Sequence, residues 1–201
     1  MSLKDYRKHT RQRPEFLVGK SAPEIPHDLL ASCKVVPRRN DIIGSLPRGG
    51  LGVEVGTQTG MFARTILDLA KPRKLFVIDL DYGPFLRENF ANELLSEKII
   101  LKEGKSWEVL EEFPDETFDF IYVDAAHNYD MVKKDLDVSI KKIKSNGTII
   151  CNDFVTWSAM KAAPYGVHQA VTETIVNYRC EVTHFAFHHY GYNDIAFKRG
   201  E

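Results

Sequence analysis

Gly52-Val-Glu-Val-Gly-Thr-Gln-Thr-Gly60 is the stretch that decides the fold. Leu51 to Val55 is a short apolar run with β-branched residues, and it closes on Gly56. Beyond the second glycine, Met61, Ile66, Leu67, Leu69 and Ala70 recur at helical spacing. A strand, a glycine turn and a helix in that order form the opening unit of an α/β sheet. Glycines in such a turn let a ligand approach backbone amides closely. The turn lacks the third glycine of GxGxxG, which argues against a dinucleotide pyrophosphate. Glu54 stands inside the apolar run. A buried acid needs a partner, and a ligand ammonium or a backbone amide would supply one. A purely structural turn is the competing reading of this loop.

The same alternation continues outward. Strand runs are read at Lys74–Ile78, Lys98–Leu101, Phe118–Val123 and Thr148–Cys151. Helices are expected at Pro84–Leu95, Trp107–Phe113, Tyr129–Ile143 and Val167–Tyr178, with Asn146-Gly147 ending the third of these. Glu181–Phe187 and Tyr192–Phe197 alternate like two antiparallel strands. Five strand–helix units and a terminal hairpin predict an α/β, doubly wound, seven-stranded, mostly parallel sheet with a C-terminal antiparallel hairpin. Ligands of such sheets bind beyond the carboxyl ends of the strands. Residues 1–48 differ in composition and read as an N-terminal arm with short helical pieces, a lid or dimer arm on one reading and a disordered tail on the other. Residues 49–201 read as the ligand-binding domain.

Loop chemistry follows from that placement. Gly56, Thr57, Gln58 and Gly60 form the first ligand loop. Asp79 ends the second strand, 19 residues after Gly60, where a carboxylate can accept from ribose hydroxyls; a helix cap is the alternative. Ser106, at the end of the third strand, is a candidate base contact beside Trp107. Val123-Asp124-Ala-Ala-His127-Asn-Tyr129 gathers a carboxylate, an imidazole and a phenol in one loop. Asp124 and His127 are the candidate catalytic pair. Asn152 and Asp153 follow the fifth strand. With Asp124 they would form an all-oxygen site suited to Mg²⁺, unless these acids simply cap the next helices. His184, His188 and His189 read as solvent or pocket rim.

Composition narrows the class. The 201 residues carry a net charge of −1 and 43% hydrophobic residues. That balance disfavours a large nucleic-acid interface. No apolar run reaches the ~20 residues of a membrane span, and the start of the chain lacks a secretory core. Cys33, Cys151 and Cys180 are scattered, as reduced thiols of a cytoplasmic protein would be. A homodimer is compatible with all of this.

Taken together, these motifs resemble the class I S-adenosylmethionine (SAM)-dependent methyltransferases, and most closely the small-molecule O-methyltransferase branch called methyltransferase family 24. Glu54-Val-Gly-Thr-Gln-Thr-Gly60 is similar to the family's first SAM motif, and Asp79 to its ribose-binding acid. Asp124-Ala-Ala-His127-Asn-Tyr129-Asp-Met-Val132-Lys-Lys-Asp135-Leu136 resembles its D-x-x-H-x-Y-x-x-V-x-x-D-L block. Asn146-Gly147 to Asp153 and Tyr165 to Val171 resemble the segments that follow. Lys105 departs from an acid common in the third loop, and Asn152 from an acid common in metal-dependent members. The resemblance implies a Rossmann-like fold, SAM as cofactor and methyl transfer to a hydroxyl of a small molecule such as a sugar or natural product, with Mg²⁺ assisting. Glu54, Gly56, Thr57, Gln58, Gly60, Asp79, Ser106 and Asp124 would hold the cofactor. A nicotinamide-dependent oxidoreductase and a non-catalytic SAM- or nucleoside-binding protein are the alternatives.

Overall fold

The computed structural model describes residues 21–200. The first half of the expected arm lies outside the described residues. The elements are α1 (His27–Leu30), β1 (Lys34–Val36), α2 (Arg39–Ser45), β2 (Leu51–Val55), α3 (Met61–Leu69) and β3 (Lys74–Asp79). A 3₁₀ turn (Arg87–Phe90), α4 (Ala91–Leu95), β4 (Ile99–Glu103), α5 (Ser106–Glu111), β5 (Phe118–Val123) and α6 (Tyr129–Lys142) follow. The chain continues through β6 (Ile143–Cys151), β7 (Trp157–Ser158), β8 (Ala163–Pro164), α7 (Val167–Asn177), β9 (Glu181–Ala186) and β10 (Asp194–Lys198).

The sheet order is β1-β9-β10-β6-β5-β2-β3-β4. Strands β2 to β6 run parallel, β10 is antiparallel to both β6 and β9, and β1 joins β9 in parallel. This is the doubly wound sheet with its terminal antiparallel pair. An eighth strand, β1, comes from the segment read as an arm. Helices α5, α6 and α7 cover one face, over Val53, Val55, Ile121 and Ile149. Helices α2, α3 and α4 cover the other, over Leu75, Val77, Phe120 and Tyr122. Such two-sided burial explains why β2 and β5 read as unbroken apolar runs. Ile42, Ile43 and Leu46 of α2 are buried in the second layer, so the residues just before β2 are part of the packed domain.

Two local readings are corrected. The helix expected over Pro84–Leu95 is a turn, a 3₁₀ segment and one short α-helix. Its aromatic residues are drawn inward instead: Phe85 and Phe90 stack at 4.9 Å between centroids and pack over Gly60. Asn146-Gly147 does not end a helix. Helix α6 stops at Lys142, Ile143 is already extended (ψ 138°), and the dipeptide lies within β6. A β-branched residue at the junction favours the strand and overrides the usual helix-ending signal. Asp135, from the most specific motif block, faces the interior. It is buried and accepts a hydrogen bond from the Ser106 hydroxyl, so it joins α6 to the start of α5.

Gly60 precedes α3 with φ +84°. A Cβ there would lie 2.6 Å from the Phe85 ring and 2.8 Å from the Phe90 ring. Both the backbone conformation and the space exclude a side chain. Gly60→Ala should lower stability by about 2–3 kcal/mol, measured as a drop in the urea midpoint. An unchanged midpoint would contradict this packing.

Candidate functional site

The carboxyl ends of β2, β3 and β5 open into two adjoining cavities. One, of about 340 Å³, is bordered by Asp79, Leu80, Lys105, Ser106 and Trp107. The other, of about 670 Å³, is bordered by Arg39, Glu54, Phe62, His127, Asp153 and Tyr165, among others. Gly56, Gln58, Asp124 and Ala125 line both and mark the junction. This is the point where the strand order reverses, with β5 and β3 on either side of β2.

Backbone contacts build the junction. Gly56 has φ +82°, and a Cβ on it would meet the Asp124 carbonyl oxygen at 2.2 Å. Glycine thus lets the first loop lie directly against the fourth. The Asp79 Oδ2 accepts from the backbone N–H of Thr57 at 2.8 Å and of Gln58 at 3.0 Å, and Oδ1 accepts from Leu80 at 2.7 Å. Asp79 therefore holds the first loop in place. Oδ2 is saturated by two donors, while Oδ1 keeps a lone pair for a ligand hydroxyl.

Glu54 is buried in the central strand, and among the described residues neither its Oε2 nor the neighbouring Thr57 Oγ1 has a hydrogen-bond partner. Burial pushes the Glu54 carboxyl up to about 8, against the nearby Thr57 hydroxyl and with the Asp124 charge adding to the rise. Asp124 is raised to about 7, by burial first and by the charge of Asp153 second, while Arg39 and His127 oppose the shift. An orphaned, buried carboxyl on the wall of a cavity fits a cationic group of a ligand.

Arg39 was not legible as a site residue. Its Nη1 donates to the Tyr122 hydroxyl at 3.0 Å and lies 3.7 Å from Asp124 Oδ2. Its guanidinium stacks on Phe62, 4.0 Å from the ring centre. Tyr122 in turn donates to Asp194 Oδ2 at 3.0 Å, and burial raises Asp194 to about 7. Arg39 and Asp194 escaped sequence reading because one sits in the presumed arm and the other in the terminal hairpin. Tyr165, from the segment after β6 that the resemblance includes, and Tyr192 also border the larger cavity.

His127 Nε2 lies 3.0 Å from Asp153 Oδ2 and 3.9 Å from Asp124 Oδ1. Its ring stacks on Tyr165 at 4.5 Å. Asp153 has φ +54°, a left-handed conformation that aspartate tolerates better than most residues. The structure thus brings Asp124, His127, Asn152 and Asp153 to one wall. The expected Mg²⁺ site is not formed there. Asp153 is turned to His127, Asp124 to Arg39, and the Asn152 amide donates to Asp194 at 3.3 Å. Among the described residues no group of three or more His, Cys, Asp or Glu side chains is arranged to hold a metal ion. Asp153 and Asn152 already have close partners in His127 and Asp194, which leaves Asp124 as the one free oxygen donor of the three, so the donor set does not fit a divalent cation.

Other expectations are also refined. Gly60 borders neither cavity and acts through aromatic packing. Ser106 borders the smaller cavity, but its hydroxyl is directed to Asp135. His188 reaches the rim of the larger cavity; His184 and His189 do not border either one.

The fold and the cavities define an α/β protein with a two-part cavity at the switch point of its sheet. The sequence model described as a methyltransferase domain matches residues 53–154, just over half of the chain, and the chain belongs to that family. Its fold is that of the class I SAM-dependent methyltransferases. No curated protein matches the sequence. Among solved structures, the pyocyanin biosynthetic protein PhzM superposes with a TM-score of 0.59 at 18% identity, covering 80% of this chain and 54% of its own. The tRNA methyltransferase TrmK of B. subtilis gives 0.60 at 13% identity, over 83% and 67%. An O-methyltransferase family protein from Burkholderia thailandensis gives 0.61 at 9% identity, over 81% and 55%. These likenesses show the fold. The chain spans about half the length of PhzM and of the Burkholderia protein. Among the described residues no helix is long and apolar enough to cross a membrane.

The buried acids make the ligand-free protein sensitive to pH. Unfolded carboxyls titrate near pH 4, whereas Glu54, Asp124 and Asp194 titrate at about 8, 7 and 7 when folded. Between those values the folded state holds protons that the unfolded state has lost, so stability rises as pH falls through the window. Lowering the pH from about 8.5 to about 7 should stabilise the ligand-free protein by about 1–2 kcal/mol, a rise of a few degrees in Tm. A Tm that fell over the same interval would contradict the burial of these acids.

Proposed function

We propose that the protein transfers a methyl group from SAM to a hydroxyl of a small molecule, without a metal ion. The observation that carries this reading is the contact of His127 with Asp153 at 3.0 Å on the wall of the larger cavity. When bound, SAM supplies an electrophilic methyl group. Asp79 and Trp107 border the cavity suited to its nucleoside, and the unpaired carboxyl of Glu54 suits its ammonium.

The remaining chemistry belongs to the acceptor. With Asp153 Oδ2 3.0 Å from His127 Nε2, the proton of a neutral imidazole is favoured on that nitrogen, which leaves Nδ1 as the proton acceptor. An acceptor hydroxyl presented to that nitrogen would give up its proton to it as the oxygen is methylated. Stacking on Tyr165 limits the rotation of the imidazole, so the base is held in place before the acceptor binds. Tyr165, Tyr192 and Phe62 give the cavity flat apolar surfaces beside polar groups, a lining suited to the body of a sugar-bearing or aromatic natural product.

Incubation with methyl-labelled SAM and a panel of phenolic and glycosidic acceptors tests the reading. Label should appear as an alkali-stable O-methyl group, and EDTA should leave the rate unchanged. His127→Ala should lower kcat by about 10²–10⁴-fold while SAM binding persists. Transfer that required added Mg²⁺, or labelling confined to nitrogen, would overturn the proposal.

A further inference from the structure

Asp124 occupies a place that neither base chemistry nor nucleoside recognition explains. It borders both cavities. Its Oδ1 and Oδ2 face His127 at 3.9 Å and Arg39 at 3.7 Å, beyond ordinary hydrogen-bond distance in both cases. Arg39 is itself anchored by Tyr122 at 3.0 Å and stacked on Phe62, so its position does not depend on Asp124. The carboxylate therefore sits at the junction without a close partner.

Consider a ligand with its ribose at Asp79 and its ammonium at Glu54. It must pass the junction of the two cavities, and Asp124 is the acid there. In SAM the group between ribose and amino acid is a sulfonium. After transfer it is a neutral thioether, as in S-adenosylhomocysteine (SAH). A carboxylate at the junction attracts the first and is indifferent to the second, and the partly buried setting strengthens the attraction relative to water.

Resting on the functional reading above, we propose that Asp124 is the charge sensor of the site: its carboxylate favours the sulfonium cofactor over the neutral product and so promotes product release. Glu54 does not make this distinction, because the ammonium is the same in both ligands. Asp153 does not either, since it borders the acceptor cavity alone and is held by His127.

Isothermal titration at about pH 8 with SAM, SAH and sinefungin tests this without any acceptor; sinefungin carries an amine where SAM carries the sulfonium. Asp124→Asn should weaken SAM and sinefungin by about tenfold or more and SAH by less than about threefold. Retained SAH binding reports that the variant is folded. Asp153→Asn should leave the ratio of SAM to SAH affinity within about twofold of wild type. Equal weakening of all three ligands in Asp124→Asn would show a structural role and overturn the proposal. So would no weakening of any. Wild-type protein that bound none of the three would overturn the functional reading itself, and this inference with it.

Discussion

A carboxyl buried in the central strand, one of its oxygens without a hydrogen-bond partner among the described residues, is the constraint around which this site is organised. Glu54 lies in β2, between β3 and β5, where the sheet is covered on both faces. An acid there costs stability unless something answers it. The protein supplies no cation in hydrogen-bonding contact. It holds the group in place with rigid parallel strands and leaves one side open to a cavity. A buried acid that costs stability while it faces a cavity is a pattern expected of binding sites rather than of cores.

The rest of the site follows from the switch point. Strand order places β2 beside both β3 and β5, so the loops that follow these strands meet. Gly56 allows the first loop to lie on the fourth, and Asp79 fastens it from the other side through two backbone amides. Position, more than any single residue, then separates the roles. Groups along β3 and α5 border the nucleoside-sized cavity. Groups from the segment after β6 and from the turn between β9 and β10 border the larger one. Arg39 closes the ring from a segment outside the matched region, linking α2 to β5 and, through Tyr122, to β10.

The alternation of apolar runs and helical spacing made the sheet legible, because burial on both faces leaves a strong signature in each strand. Loop acids at strand ends were legible for the same reason. What stayed hidden depends on tertiary contact. Arg39 lies in a stretch with no ligand motif, and its role arises from packing on Phe62. The partnership of Asp124, Asn152 and Asp153 was correct in place but not in chemistry. Their convergence follows from neighbouring strands, whereas their occupation by Arg39, His127 and Asp194 depends on side-chain directions that spacing does not encode. Gly60 and Ser106 were drawn from motif position, yet the first serves aromatic packing and the second an interhelical hydrogen bond.

The central claim is that Glu54 is buried for the ligand and against the fold. Comparing wild type with Glu54→Gln by SAM titration and by Tm at about pH 8 tests it most directly. The account predicts that Glu54→Gln weakens SAM by about 10–100-fold, the loss of one charge-assisted hydrogen bond, while the ligand-free protein melts at a higher temperature. SAM affinity equal to wild type, or a lowered Tm in the variant, would contradict it.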